Sequence, residues 1–226
     1  MRSRSFIRLV GGLVLSLALT AAATGAAGAE TWPPPVGDVP MIRQQYSLDC
    51  EAAALQMALA HEGIGRSQPQ LLAAMGVDLR HPGAGYRGGG DPYRSFVGRP
   101  GGSEVRRTGY GAYFPVVASA AAAAGGRVLL AGERVPVTAV YDQVLTGHPA
   151  IVWVTYDFRL HPRHDYLAWD GRWVPYAGPY EHTVTVVGFD GATVLVNDPA
   201  RGVSRLGKLT FEAGYGVYDG MAVVLR

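Results

Sequence analysis

Hydrophobic spacing changes period once along this chain, close to Pro149, and that change limits the folds open to it. Before Pro149 the apolar residues recur at helical spacing. From Cys50 to about Glu62, Leu55 and Leu59 fall one turn apart with Ala52 near them, and Gly63 offers a left-handed stop. Ser67 and Pro69 open a second helix through Leu71, Leu72 and Met75, ended by Gly76. Val116–Ala124 is an alanine-rich helix closed by Gly125-Gly126, and Val137–Leu145 is another, stopped at Gly147. Val128–Leu130 is a short apolar run between them, read as a strand. After Pro149 the runs Ala150–Tyr156, His182–Phe189, Thr193–Val196 and Met221–Leu225 are β-branched and aromatic, with a hairpin signal at Asp190-Gly191. This order predicts an α+β fold, with N-terminal helices packed on a C-terminal antiparallel sheet, rather than alternating βαβ units.

Residues 1–29 have the form of a signal peptide: Arg2, Arg4 and Arg8, an apolar stretch from about Leu9 to Ala23, and the small residues Ala27-Gly28-Ala29. The apolar stretch falls short of the roughly 20 residues that cross a bilayer, and no later segment is long and apolar enough to do so. The expected destination is secreted or cell-envelope, with a retained N-terminal anchor as the alternative. Residues 30–38 form an extended, proline-rich lead-in, and 39–226 are expected to fold as one domain. A formal net charge of +2, carried by scattered basic residues, argues against a nucleic-acid surface. The stretch 81–111 is dense in Gly and Pro and lacks the lysine and glycine spacing of a phosphate loop. A connection of that length is expected to be functional or disordered.

Cys50 is the single cysteine, so no internal disulfide can form and stability must come from packing. Asp49 is a good N-cap, which places the thiol in a first helical turn where the helix dipole favours thiolate. Glu51 opposes that, but it can turn its side chain to solvent, and the helix together with a His182 imidazolium is expected to win and leave the thiol ionised. A thiol nucleophile needs a base, a group to orient the base, and donors for an oxyanion. His182 opens a strand and Asp198 closes the return strand of its hairpin. With Asp190-Gly191 as a two-residue turn, Thr183 faces Asp198, which brings Asp198 beside His182 but onto the opposite face. A bulge, or the break at Pro199, would correct the facing. Gln44, six residues before Cys50, is the candidate oxyanion donor, with Gln45 as competitor. His161, His164 and Asp165 lack helical ligand spacing and read as a solvated loop. His61, His81 and His148 read as surface residues, and the aromatic residues of 153–180 as core and rim packing, with the lining of a substrate groove as the alternative for some of them.

Taken in order, Gln44, Asp49-Cys50, His182-Thr183-Val184-Thr185-Val186-Val187-Gly188 and Asp198-Pro199 resemble the papain-like cysteine peptidases. The likeness is strongest to cysteine-peptidase family 39, the branch with the bacteriocin-leader (double-glycine) processing peptidases. Cys50–Met57, Asp91–Gly98, Gly109-Tyr110-Gly111 and Gly147–Trp153 are similar to its stand-alone secreted members. The resemblance spans about 39–226. It implies a papain-like fold, a peptide or protein substrate and no cofactor or metal. By role it assigns Cys50 as nucleophile, His182 as base, Asp198 as its orienter and Gln44 as oxyanion donor. Two departures stand out. Glu51 replaces the Gly that usually follows the cysteine in leader-processing enzymes, and the transporter domains that accompany leader processing are missing, so a double-glycine leader is not the expected substrate. The expected function is an exported cysteine hydrolase cleaving peptide amides. A thiol acyltransferase and a non-catalytic peptide- or cell-wall-binding module are the alternatives.

Overall fold

The computed structural model describes residues 36–83 and 87–226. The expected signal segment and residues 30–35 of the lead-in lie outside the described residues. Three helices, α1 (Cys50–His61), α2 (Gln68–Met75) and α3 (Phe114–Ala124), occupy the first half, with the short strands β1 (Val77–Asp78), β2 (Arg87–Gly89) and β3 (Phe96–Val97) between α2 and α3. The chain continues through β4 (Val128–Gly132), α4 (Val137–Leu145), β5 (Ala150–Thr155), β6 (Tyr166–Ala168), β7 (Trp173–Val174), β8 (Glu181–Phe189), β9 (Thr193–Asp198), β10 (Gly202–Gly207), α5 (Lys208–Gly216) and β11 (Ala222–Leu225). Six strands form one antiparallel sheet in the order β10-β9-β8-β5-β11-β4. The α+β expectation agrees with this architecture.

Helices cover both faces of the sheet, which goes beyond the sequence expectation. On one face Ile151, Trp153, Val223 and Leu225 pack with α1, α2 and α3. On the other, Val152, Val154, Val184 and Val186 pack with Val140 of α4 and Phe211 of α5. All six residues of β5 are buried as a result, and the strand reads as a continuous run rather than an alternation. Helix α1 is also enclosed: Cys50 to Leu55 are all buried, Glu51 included. With no apolar stripe and no wet stripe, the rule that sends a helical glutamate to solvent does not apply to it.

The glycine-rich segment 81–111 is largely ordered packing, apart from 84–86, which are not described. Phe96, Val97 and Tyr110 are fully buried; the Tyr110 amide donates to the Val97 carbonyl, and the Val97 amide donates to the Gly111 carbonyl. This connection carries Glu104, Gly111 and Ala112 to the N-terminus of α1. Among the described residues no helix is long and apolar enough to cross a membrane.

Candidate active site

The β8–β9 hairpin decides where Asp198 points. Its turn closes one residue later than the dipeptide signal suggests: the Asp190 amide donates to the Thr193 carbonyl, and Phe189 faces Val194. Continued unbroken, that register would pair Asp198 with Thr185 and leave it on the face opposite His182. Val187 is an extra residue that shifts the ladder, so that Val186 faces Val196 and Thr185 faces Asn197. The shifted register sets Asp198 opposite Val184, on the face of His182. His182 Nε2 and Asp198 Oδ1 are 2.9 Å apart, both buried. The lead-in braces the bulge, since the Val36 amide donates to the Val187 carbonyl at 2.5 Å.

Asp198 is surrounded by donors. Its Oδ1 also accepts from the Ala200 amide at 2.9 Å and the Arg201 amide at 3.1 Å, and Oδ2 takes Arg201 Nε at 2.7 Å. Burial pushes the carboxyl up, but His182 and Arg201 beside it win and hold it well below the usual carboxylate range. The Arg201 guanidinium lies 4.4 Å from the centre of the Tyr156 ring, which meets the His182 ring edge-on at 5.1 Å. Arg201 is not among the residues the sequence singles out, whereas Tyr156 is one of the aromatics of 153–180 and does line the cleft. Arg201 follows Asp198 by three residues in the turn after an Asp-Pro pair, a spacing that could have flagged it.

Gln44 and Cys50 line the same cleft as His182, together with Glu104, Tyr156 and Glu181; its volume is about 430 Å³. The Gln44 amide nitrogen donates to the carbonyls of Tyr46 and Ser47, both at 2.9 Å, while Oε1 is buried without a partner among the described residues. The backbone around it is fastened twice. Its own amide donates to the Pro199 carbonyl at 3.2 Å, and the buried Gln68 of α2 accepts from the Gln45 amide at 2.7 Å and donates to the Arg43 carbonyl at 2.8 Å. Gln45 is exposed, and its side chain is not part of the cleft lining.

The surroundings of Cys50 differ from the sequence expectation in two respects. Asp49 occupies the N-cap position without capping; its Oδ1 accepts from the Tyr46 amide at 2.9 Å and holds the entry loop instead. Glu51 is fully buried rather than turned to solvent. The Cys50 thiol donates to Glu51 Oε2 at 3.4 Å, and Glu51 Oε1 accepts from the Ala112 amide at 2.5 Å. Gly111 makes this possible, because a Cβ there would overlap the Glu51 carboxyl. Burial, then Glu51, Glu181 and Glu104, push the Cys50 thiol well above its ordinary value; the Thr183 amide pulls the other way. The thiol is therefore protonated at rest, against the expectation of a thiolate, because burial and the neighbouring acids outweigh the helix N-terminus. Burial also pushes Glu51 up to about 8, against the Ala112 amide, so Glu51 is largely uncharged at neutral pH. Glu181 and Glu104 are raised too, in both cases first by burial.

His161 lies apart from this cluster, bonded to Asp157 at 2.8 Å and stacked on Tyr180, while Asp165 pairs with Arg163. These side chains do not converge on a metal geometry.

Comparison with solved structures places the fold. A crystal structure from Bacillus anthracis, described as a C39-like peptidase, superposes with a TM-score of 0.74 at 20% identity, covering 87% of this chain and 98% of that one. The peptidase domain of Streptococcus ComA, a bi-functional ABC transporter involved in quorum sensing, gives a TM-score of 0.51 at 16% identity over 83% of this chain and 98% of that one. Comparison with curated proteins gives no match. The profile of the Peptidase_C39 like family matches residues 36–223, which takes in both the hairpin that carries His182 and Asp198 and the helix that carries Cys50, and the chain belongs to that family.

Proposed function

We propose that this protein is an exported cysteine peptidase that cleaves peptide amides, with Cys50 as nucleophile, His182 as general base and then acid, and Asp198 as the group that orients His182. One observation carries the proposal: the 2.9 Å contact of His182 Nε2 with Asp198 leaves Nδ1 as the ring nitrogen for Cys50, in a cleft that both residues line. Because the resting thiol is protonated, its proton passes to His182 during attack on the carbonyl rather than beforehand. The ionised Asp198 then stabilises the imidazolium. The Cys50 amide at the helix N-terminus and the Gln44 side chain hold the oxyanion, for which the Gln44 amide turns from the Tyr46 and Ser47 carbonyls toward the cleft. Loss of the tetrahedral intermediate's amine, protonated by His182, leaves an acyl-enzyme that water hydrolyses. The form of residues 1–29 supports export.

The raised thiol favours a second reading, a peptide-binding module that keeps the fold with an inert Cys50. A panel of peptide electrophiles separates the two, with the adduct located by mass spectrometry. A covalent adduct on Cys50 that needs His182 supports the peptidase, and a folded protein that binds the peptides without reacting overturns it. Competition between added amines and water for the acyl-enzyme distinguishes a thiol acyltransferase.

A further inference from the structure

Beneath the nucleophile, the structure assembles acids with no cationic hydrogen-bond partner among the described residues. Cys50 Sγ, a carboxyl oxygen of Glu51 and a carboxyl oxygen of Glu181 all lie within 4.8 Å of one another, and all three residues are buried. Among the described residues their hydrogen-bond partners are each other, the amides of Glu51, Ala112 and Thr183, and the Thr183 hydroxyl, none of them cationic. Glu181 is only 4% exposed, lines the cleft, and leaves Oε2 without a donor among the described residues. An unpartnered buried acceptor is a cost that a ligand in the cleft can remove.

We propose that this is a site for a thiophilic divalent cation of the zinc class, held by Cys50 Sγ, Glu51 and Glu181, and that its occupancy masks the nucleophile. Zinc bonds of about 2.3 Å to sulfur and 2.0–2.2 Å to carboxylate oxygen set neighbouring ligand atoms roughly 3.6 Å apart. The Cys50–Glu51 separation of 3.4 Å already has that size, and Glu181 closes on the cation from the cleft side. A sulfur ligand selects zinc over magnesium or calcium, which prefer oxygen alone. Three protein ligands leave a fourth position for water from the cleft. Binding expels the Cys50 thiol proton and the proton of each carboxyl that holds one, all to solvent, so that each buried acid becomes an anionic ligand. His182 is not among the side chains whose ligand atoms gather within 4.8 Å of one another. The masking rests on the peptidase reading of Cys50; the metal site does not.

Titration of the metal-free protein with Co²⁺ tests the site directly. One ion per chain should bind, with a thiolate-to-cobalt charge-transfer band, and Zn²⁺ should displace it. Cys50→Ser should abolish the band. Glu181→Gln and, separately, Glu51→Gln should weaken binding at least as much as the roughly 10–100-fold cost of losing an outer-sphere partner, while circular dichroism shows both variants folded. His182→Ala should bind as the wild type does. Zn²⁺ should block iodoacetamide alkylation of Cys50 in the wild type and fail to do so in Glu181→Gln at the same concentration. The proposal is overturned if the wild type takes up no stoichiometric Co²⁺. It is equally overturned if His182→Ala loses the ion while both glutamate variants keep it, since the metal would then bridge the cysteine and histidine. Metal binding without any peptide cleavage by the metal-free protein would sink the peptidase and leave the site standing.

Discussion

The two sides of the cleft treat their acids in opposite ways. Around Asp198, a ring nitrogen, a guanidinium and two backbone amides converge on one carboxylate and keep it ionised. Around Cys50, burial and neighbouring acids hold the thiol and Glu51 in their protonated forms, with only uncharged donors to Glu51 among the described residues, the amides of Ala112 and Glu51 and the Cys50 thiol. Depth alone does not separate the two, because Asp198 and Glu51 are both fully buried. The supply of donors does. Burial raises any acid, and hydrogen bonds to the charged form decide whether that rise survives.

Asp198→Asn should have the largest effect on activity, because it keeps the shape of the donor-rich side while removing its charge. Turnover on a peptide reporter is expected to fall about 10⁴-fold, the scale seen when a histidine loses its carboxylate orienter in a hydrolase triad. A loss below tenfold would mean that the charge on this side is structural. Gln44→Ala comes next, at about 10²–10³ in turnover, the usual cost of one oxyanion donor. Gln45→Ala should leave turnover unchanged, and the reverse pattern would assign the oxyanion to the wrong glutamine.

On the other side, Glu51→Gln sharpens the contrast through pH. In the unfolded chain Glu51 loses its proton near 4.3, whereas the fold keeps it until about 8. Within that window the folded state holds a proton that the unfolded state has released, so stability falls as pH rises. Urea unfolding at pH 5 and pH 8 should show the wild type less stable at pH 8, by on the order of a few kcal/mol, and the variant less affected. The same substitution should let iodoacetamide alkylate Cys50 at lower pH than in the wild type, and an unchanged alkylation profile would remove Glu51 as a cause of the raised thiol. Arg201→Ala is the smallest expected change, roughly tenfold in turnover if the pair follows the strength of hydrogen bonds to charged groups. Its signature is the direction of the shift. With the guanidinium gone, Asp198 takes up its proton at higher pH, so the acid limb of the pH–rate profile should move toward neutrality.

Much of the architecture was legible because local signals and packing agreed. Helix α4 runs from Val137 to Leu145, as its spacing and Gly147 predict, and α1 stops just before Gly63, whose φ is +75°. Helix α5 was not legible. It contains Gly214 and Gly216, which lower helix propensity, and it forms because Phe211 and Tyr215 bury themselves against the sheet. Strand β10 is a short edge strand with Val203 exposed, and its pattern is too weak to stand out. At the site, the pairing of His182 with Asp198 required a bulge whose position no periodicity encodes. The orientation of Glu51 depended on Gly111, some sixty residues away, leaving room for its carboxyl. Neighbours in sequence suggested which residues carry chemistry, and distant contacts set the charge each of them bears.

Val187 has one further consequence. As the extra residue in its ladder, it has to stay unpaired: were Val187 to pair with Val196, the register at the turn would carry Asp198 to the far side of the sheet. What matters is that the residue is left out of the ladder, more than which side chain it carries. Val187 is therefore a position where the chain should accept many substitutions, and its removal would leave a regular ladder with Asp198 still opposite Val184. Over the sixteen residues that separate His182 from Asp198, the facing of the pair is a matter of which residues enter the ladder and not of composition.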